Sequence, residues 1–130
     1  MELKTGMTYT YSSIATPERS AKAMGSGGLP VFATPALVAM IECACYNCVK
    51  EALEEGMTTV GTALNIKHVS ATPEGMNVTA ECELIEIDRR RLVFKVAAFD
   101  ECGKIGEGTH ERFIVEVEKF MENANFKKEK

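Results

Sequence analysis

The chain has 130 residues, 45% hydrophobic and 26% charged, the balance of one ordinary globular domain. A net charge of −4 and a pI near 5.3 weigh against a nucleic-acid partner, which needs a basic field. No stretch of about 18 uninterrupted apolar residues exists, so neither a transmembrane span nor a membrane partner is expected.

Met1-Glu2-Leu3-Lys4-Thr5-Gly6 lacks a basic start followed by an apolar stretch. It does not read as a signal peptide, and a cytoplasmic location is the expectation. Alternating Thr, Tyr and Ser predict a first strand over Thr8 to Ile14. The segment 15–30 is rich in Ser, Gly and Pro and predicts a loop or lid with about one helical turn. Long loops in small domains are often functional.

Thr34-Pro35 then places a capping residue before a proline at the first helical position. No further Pro or Gly occurs before Gly56, so one helix is predicted from Pro35 to about Glu55. Val38, Ile41, Cys45, Cys48, Val49 and Ala52 recur at helical spacing and predict its buried face. Cys45-Tyr46-Asn47-Cys48 matches C-x-x-C, but a zinc site would need a second ligand pair and a redox pair would open a helix. With Cys43, Cys82 and Cys102 the cysteine count is odd, so free core thiols fit better than disulfides. No metal and no cofactor is expected.

After Gly56 the period changes to alternation. Strands are predicted at Thr59 to Ser70, Met76 to Ile87, Arg91 to Phe99 and Ile105 to Val117, with turns at 73–75, 88–90 and 100–103. The strand from Arg91 is apolar on both faces and should be central. A polar tail follows over 121–130. Strand, long loop, one helix and four strands make an α+β domain over 1–130, and one solution is an antiparallel sheet wrapped around one long central helix. Such a sheet leaves an edge that a second chain can pair with.

Three residues are candidates for chemistry. Glu42 lies four after Val38 and three before Cys45, on the apolar face or its margin. Desolvation of a carboxyl there suits a general base, whereas a slightly rotated helix would simply send it to solvent. Thr34 reads as a helix cap, or as a hydroxyl presented at the positive helix end. His68 shares strand parity with Leu64 and Ile66, so its imidazole either faces the layer holding Glu42 or is a satisfied rim histidine. Two histidines, His68 and His110, with distant carboxylates form no metal motif. Arg90 and Arg91 either meet the phosphates of a phosphorylated small molecule or form a solvated hairpin tip.

At these residues the chain resembles the small hotdog-fold thioesterases related to bacterial fluoroacetyl-CoA thioesterase. The resemblance rests on Val31-Phe32-Ala33-Thr34 with the helix containing Glu42, Gly61-Thr62-Ala63-Leu64 through His68, and Ala71-Thr72-Pro73. It continues through Arg90-Arg91-Leu92-Val93-Phe94 and Gly108-Thr109-His110-Glu111-Arg112. It implies a hotdog fold and hydrolysis of a short-chain acyl-CoA, with Thr34, Glu42 and His68 as the catalytic set. It further implies substrate contacts at the Gly61 N–H and Phe32, coenzyme A only as part of the substrate, and a homodimer, with a tetramer as the larger assembly. Whether Glu42 and His68 meet within one chain or across two is left open. The bulky apolar lid of the fluoroacetyl-specific member is replaced here by the glycine-rich Ala23-Met24-Gly25-Ser26-Gly27-Gly28-Leu29-Pro30, so general acyl-CoA hydrolysis is the expectation and use of fluorinated acyl groups stays open. A non-catalytic acyl-CoA binding module and a hotdog hydratase or dehydratase are the alternatives.

Overall fold

The computed structural model describes residues 2–129. The chain opens with β1 (Thr8–Ile14), a 3₁₀ turn at Pro17–Arg19, and a single helical turn, α1 (Ala21–Met24). The long helix α2 (Thr34–Lys50) follows. Then come β2 (Met57–His68), β3 (Asn77–Asp88), β4 (Arg91–Asp100), β5 (Gly103–Glu116) and α3 (Val117–Asn125). The five strands form one antiparallel sheet in the order β1-β3-β4-β5-β2. The strand expected to be central, β4, sits in the middle, and β1 and β2 are the edges.

The sheet closes on α2, which packs against β1, β2 and β3. Leu37, Ile41, Cys45 and Val49 from the helix meet Leu84, Leu92, Phe94 and Ile105 from the strands, all buried. Each large apolar side chain buried in this way stabilises the fold by roughly 1.5–3 kcal/mol. The buried face is rotated from the predicted one. Leu37, Met40 and Ala44 join it, while Val38 and Ala52 are only partly covered. Glu42 consequently stands at its margin.

Both helix ends correct the expectation. Ala33, not Thr34, precedes the first helical turn, and no side chain caps it. The C-terminus falls at Lys50, not near Glu55. Glu51, Glu54 and Glu55 crowd a helix end whose dipole disfavours negative charge, so the chain leaves the helix early. Gly56, at φ 85°, then serves the turn into β2 rather than the helix stop.

The segment predicted as a loop is pinned at its base. An isolated bridge joins Ser20 to Phe32, and the Ala33 N–H donates to the Arg19 carbonyl. The polar tail, expected as a short helix or frayed end, begins inside α3 and continues as a 3₁₀ turn at Phe126–Glu129, with Lys130 outside the described residues. Among the described residues no helix is long and apolar enough to cross a membrane.

Candidate active site

Thr34 and His68 meet where the start of α2 approaches the end of β2. Thr34 Oγ1 lies 2.7 Å from His68 Nδ1. The pair lines a cavity of about 320 Å³ with Ala21, Val31, Phe32 and Ser70. His68 Nε2 is buried and has no hydrogen-bond partner among the described residues. Burial pushes the imidazole below its ordinary value, only partly offset by the nearby Ser70 backbone. The ring is therefore neutral near pH 7 and able to take a proton. The Thr34 hydroxyl donates to Nδ1 in the tautomer whose proton is on Nε2.

A second polar cluster lies further along α2 and β2. A Cβ on Gly61 would fall 2.8 Å from Glu42 Oε2, 3.2 Å from His110 Cε1 and 3.4 Å from Arg112 Nη1. Only glycine lets the strand come this close to the carboxylate. Glu42 Oε2 is 3.9 Å from Arg112 Nη1, and the Glu42 side chain is 42% exposed. It thus combines a buried cation on one side with solvent access on the other. Arg112 also donates to Thr59 Oγ1 at 2.8 Å and to the Thr59 carbonyl at 3.0 Å.

A β-bulge assembles this cluster. On β5, Arg112 pairs with Gly61 and Glu111 with Ala63, so Thr62 has no register partner. The extra residue reverses the alternation. Gly61 thereby joins Leu64, Ile66 and His68 on the helix-facing side, where simple period-two counting from His68 would put it outside.

Glu42 and His68 do not share one pocket within the chain. Positions 34 and 42 are about 12 Å apart along α2 at 1.5 Å per residue. Positions 61 and 68 are roughly 20 Å apart along β2. One chain therefore carries Thr34 with His68 at one end and Glu42 with Gly61 at the other.

The remaining candidates lie elsewhere or are already engaged. Phe32 is buried beneath the Thr34–His68 cavity, so it shapes the wall from within the core. Arg91 is paired with Glu111 at 2.8 Å and Glu86 at 3.0 Å. Arg90 is exposed at the hairpin tip beside Phe113 and Phe120. Cys45, Cys48 and Cys82 are buried together between α2 and β3. Hydrogen bonding to Cys45, together with burial, pushes the Cys82 thiol up to about 12, which makes it a poor nucleophile. A larger cavity, about 500 Å³, lies on the outer sheet face between Lys67, Lys95 and Lys104 and includes none of the candidates.

Sequence reasoning named the stretch from Gly108 to Arg112 but gave His110 and Arg112 no role at the site. Their signal was parity with Ile114, which packs on the core. An Arg and a His at inward positions of a strand must be satisfied by something buried.

Residues 15–118 match the family model for FlK, fluoroacetyl-CoA-specific thioesterase. The fluoroacetyl-CoA thioesterase of Streptantibioticus cattleyicolor is 43% identical over 90 residues, 69% of this chain and 65% of that protein. The aligned stretch thus spans just under two thirds of that relative's length. A crystal structure of the fluoroacetyl-CoA thioesterase FlK superposes with a TM-score of 0.89 at 32% identity, covering 100% of this chain and 99% of that one. A variant of that enzyme in complex with fluoroacetate and CoA gives 0.86 at 34% identity, covering 91% and 99%. A Thermus thermophilus hypothetical protein of the thioesterase superfamily gives 0.90 at 26% identity, covering 97% and 93%. The sheet wrapped on one helix is thus the hotdog fold, and the chain belongs to the fluoroacetyl-CoA-specific thioesterase family.

Proposed function

We propose that this protein hydrolyses short-chain acyl-CoA thioesters to a carboxylic acid and free coenzyme A, using Thr34 and His68 of one copy with Glu42 and Gly61 of a second. The observation that carries the reading is the 2.7 Å contact of Thr34 with His68 at a cavity large enough for a small ligand. A relative of the same family has been crystallised with fluoroacetate and CoA, which supports the substrate class.

The division of the candidates between two ends of one chain supports the composite site. Strand β2 is an outer strand, and a long unpaired edge invites another strand. Leu64, on that edge, is 44% exposed. Antiparallel pairing of two β2 strands about a two-fold axis near Asn65 brings Gly61 of one copy opposite His68 of the other. The bulge gives both residues the same face. Glu42, touching Gly61, then approaches the Thr34–His68 pair of the second copy.

In that arrangement Glu42 acts as base on water, or as a transient nucleophile on the thioester carbon. Attack moves an electron pair onto the carbonyl oxygen. The Gly61 N–H and the positive end of α2 at Thr34 favour that charge. As the carbonyl re-forms the C–S bond breaks, and His68 takes up the proton released by water and passes it to the departing thiolate; in the nucleophile route water then hydrolyses the acyl-Glu42 anhydride and supplies that proton. The glycine-rich stretch from Ala23 to Pro30, without an aromatic residue, favours unfluorinated acyl groups. The same reading takes the chain as a single catalytic domain, homodimeric and cytoplasmic.

The test is thiol release from acetyl-, propionyl-, fluoroacetyl- and longer acyl-CoAs by wild type, Glu42→Gln and His68→Ala. Each substitution should cut turnover on the order of 10²-fold or more. Unchanged rates in both would sink the reading. Tight acyl-CoA binding without thiol release would point to a binding module, and formation of an enoyl chromophore to a hydratase.

A further inference from the structure

His110 is buried at 1% exposure, between Phe94 and the residues around Glu42. Its two ring nitrogens have different partners. Nδ1 is 2.8 Å from the Ala63 carbonyl, which can only accept, so Nδ1 carries a proton. Nε2 is 3.1 Å from Arg112 Nη1, which can only donate, so Nε2 offers its lone pair. The two contacts together specify one neutral tautomer. A proton on Nε2 would remove the acceptor and set two cations against each other.

Both ends of this relay matter to the site. Ala63 is the first residue after the bulge that turns Gly61 toward Glu42. Arg112 Nη1 is the guanidinium nitrogen nearest Glu42 Oε2. Arg112 also donates to Thr59 at Nε and Nη2, and its guanidinium lies 5.9 Å from the centroid of the Tyr46 ring. Without His110, Nη1 has no hydrogen-bond partner among the described residues to fix it beside the carboxylate.

We propose that His110, as the neutral Nδ1–H tautomer, is a positioning residue that ties the β2 bulge to Arg112 and thereby holds Arg112 and the Gly61 backbone in place around Glu42. The proposal rests on the reading of Glu42 as the reacting carboxylate. His110 does not touch the substrate. It acts through the placement of two groups that flank Glu42.

The charged groups facing His110 fit this role. Arg112 and Glu111 are its neighbours on β5, and Glu42 approaches from α2. Burial pushes its imidazole below the ordinary value. The Ala63 carbonyl opposes that shift, Arg112 adds to it, and Glu42 and Glu111 oppose it. The ring therefore keeps its Nε2 lone pair at neutral pH.

The variants separate the two hydrogen bonds. His110→Gln puts an acceptor near the Nε2 position. His110→Asn keeps a donor near Nδ1 but loses the acceptor. His110→Phe keeps the ring and loses both. With acetyl- or propionyl-CoA, His110→Asn and His110→Phe should lose about 10-fold or more in kcat with KM within about threefold, because misplaced groups slow the chemical step. His110→Gln, which keeps the Arg112 bond and loses the one to Ala63, should lose less than those two, about threefold in kcat with KM little changed. A ¹⁵N spectrum of histidine-labelled wild type should show His110 neutral and protonated at Nδ1 at pH 7, and this measurement needs no variant to fold.

The proposal is overturned if His110→Asn and His110→Phe keep wild-type kcat, or if His110→Gln falls as far as they do. It is equally overturned if the spectrum shows the Nε2–H tautomer or an imidazolium. Glu42→Gln run alongside separates the two failures. If Glu42→Gln is inactive while every His110 variant is fully active, the positioning role alone fails. If Glu42→Gln is fully active, the assignment of Glu42 fails and this role with it.

Discussion

Thr34 Oγ1 is 2.7 Å from His68 Nδ1, and that bond points the hydroxyl away from the helix start it was expected to cap. The residue before the helix is Ala33, and no side chain satisfies the first turn. The capping explanation of Thr34, sufficient on sequence, is therefore replaced by a contact with an imidazole.

This contact separates turnover from stability. Thr34→Ala should lower kcat by roughly 10- to 100-fold, and Thr34→Ser should recover most of it. A lost cap would cost about 1 kcal/mol, or about 4 °C in Tm for a chain of this size. The expected Tm change is smaller, because water replaces the hydroxyl at this exposed position. Thiol-release kinetics and thermal melts of the same samples provide the check. A Thr34→Ala protein that loses stability and keeps its kcat would restore the capping role.

The composite site predicts complementation. Glu42→Gln and His68→Ala are each nearly inactive as homodimers. Unfolded together and refolded, they form heterodimers in which one site has both wild-type residues. Statistical mixing returns roughly a quarter of wild-type activity if the site spans two copies. No recovery from a mixture shown by mass to contain heterodimer would place Glu42 and His68 in one chain.

Gly61→Ala tests the approach of β2 to Glu42. The new Cβ would sit 2.8 Å from Glu42 Oε2, the far end of a flexible side chain, so the carboxylate moves and the fold survives. The expected result is a loss on the order of 10²-fold in kcat with cooperative unfolding retained. Gly108→Ala is the contrasting case. Its Cβ would run into the Asn65 carbonyl oxygen at φ 152°, so the strand pairing itself must yield. Soluble expression and circular dichroism should show Gly61→Ala folded and Gly108→Ala strongly destabilised.

His68 and His110 both lie below the ordinary 6.5, chiefly because burial penalises the imidazolium. Between 6.5 and the lower folded values the unfolded chain binds more protons than the native one. Stability is thus fully present above about pH 6.5 and is lost as pH falls through the folded values. The exposed Glu107 and the half-buried Glu111, held below 4.5 by Lys104 and Arg91, lose their contribution only at more acid pH. Urea midpoints should fall between about pH 7.5 and about pH 5, and His110→Gln should flatten that dependence. Identical midpoints at the two pH values would contradict the burial of both rings.

The fold was largely legible because its signals are local. Alternation in Leu92, Phe94, Val96 and Ala98 marks β4 without reference to any other strand. The run from Pro35 without Gly or Pro marks α2, and the turn residues at 73–75, 88–90 and 100–103 separate the strands. Glu42 was also legible, since helical spacing alone puts a carboxylate beside the apolar face. Strand parity put His68 on the side of Leu64 and Ile66, while the role proposed for it came from the family resemblance.

What the tertiary structure decided depends on contacts between distant residues. The bulge at Thr62 changes which side of β2 Gly61 faces, and period-two counting has no term for one inserted residue. The Thr34–His68 bond joins positions 34 residues apart, so a cap and a hydrogen-bonded hydroxyl have the same local sequence. His110 and Arg112 acquire their meaning only when the Ala63 carbonyl, Thr59 and Glu42 converge on them. The sequence by itself determined the helix, the strands and the candidate side chains they carry, because periodicity and turn signals act over a few residues. Which of those side chains touch was decided by register, bulge and packing, which act only once the chain has closed on itself.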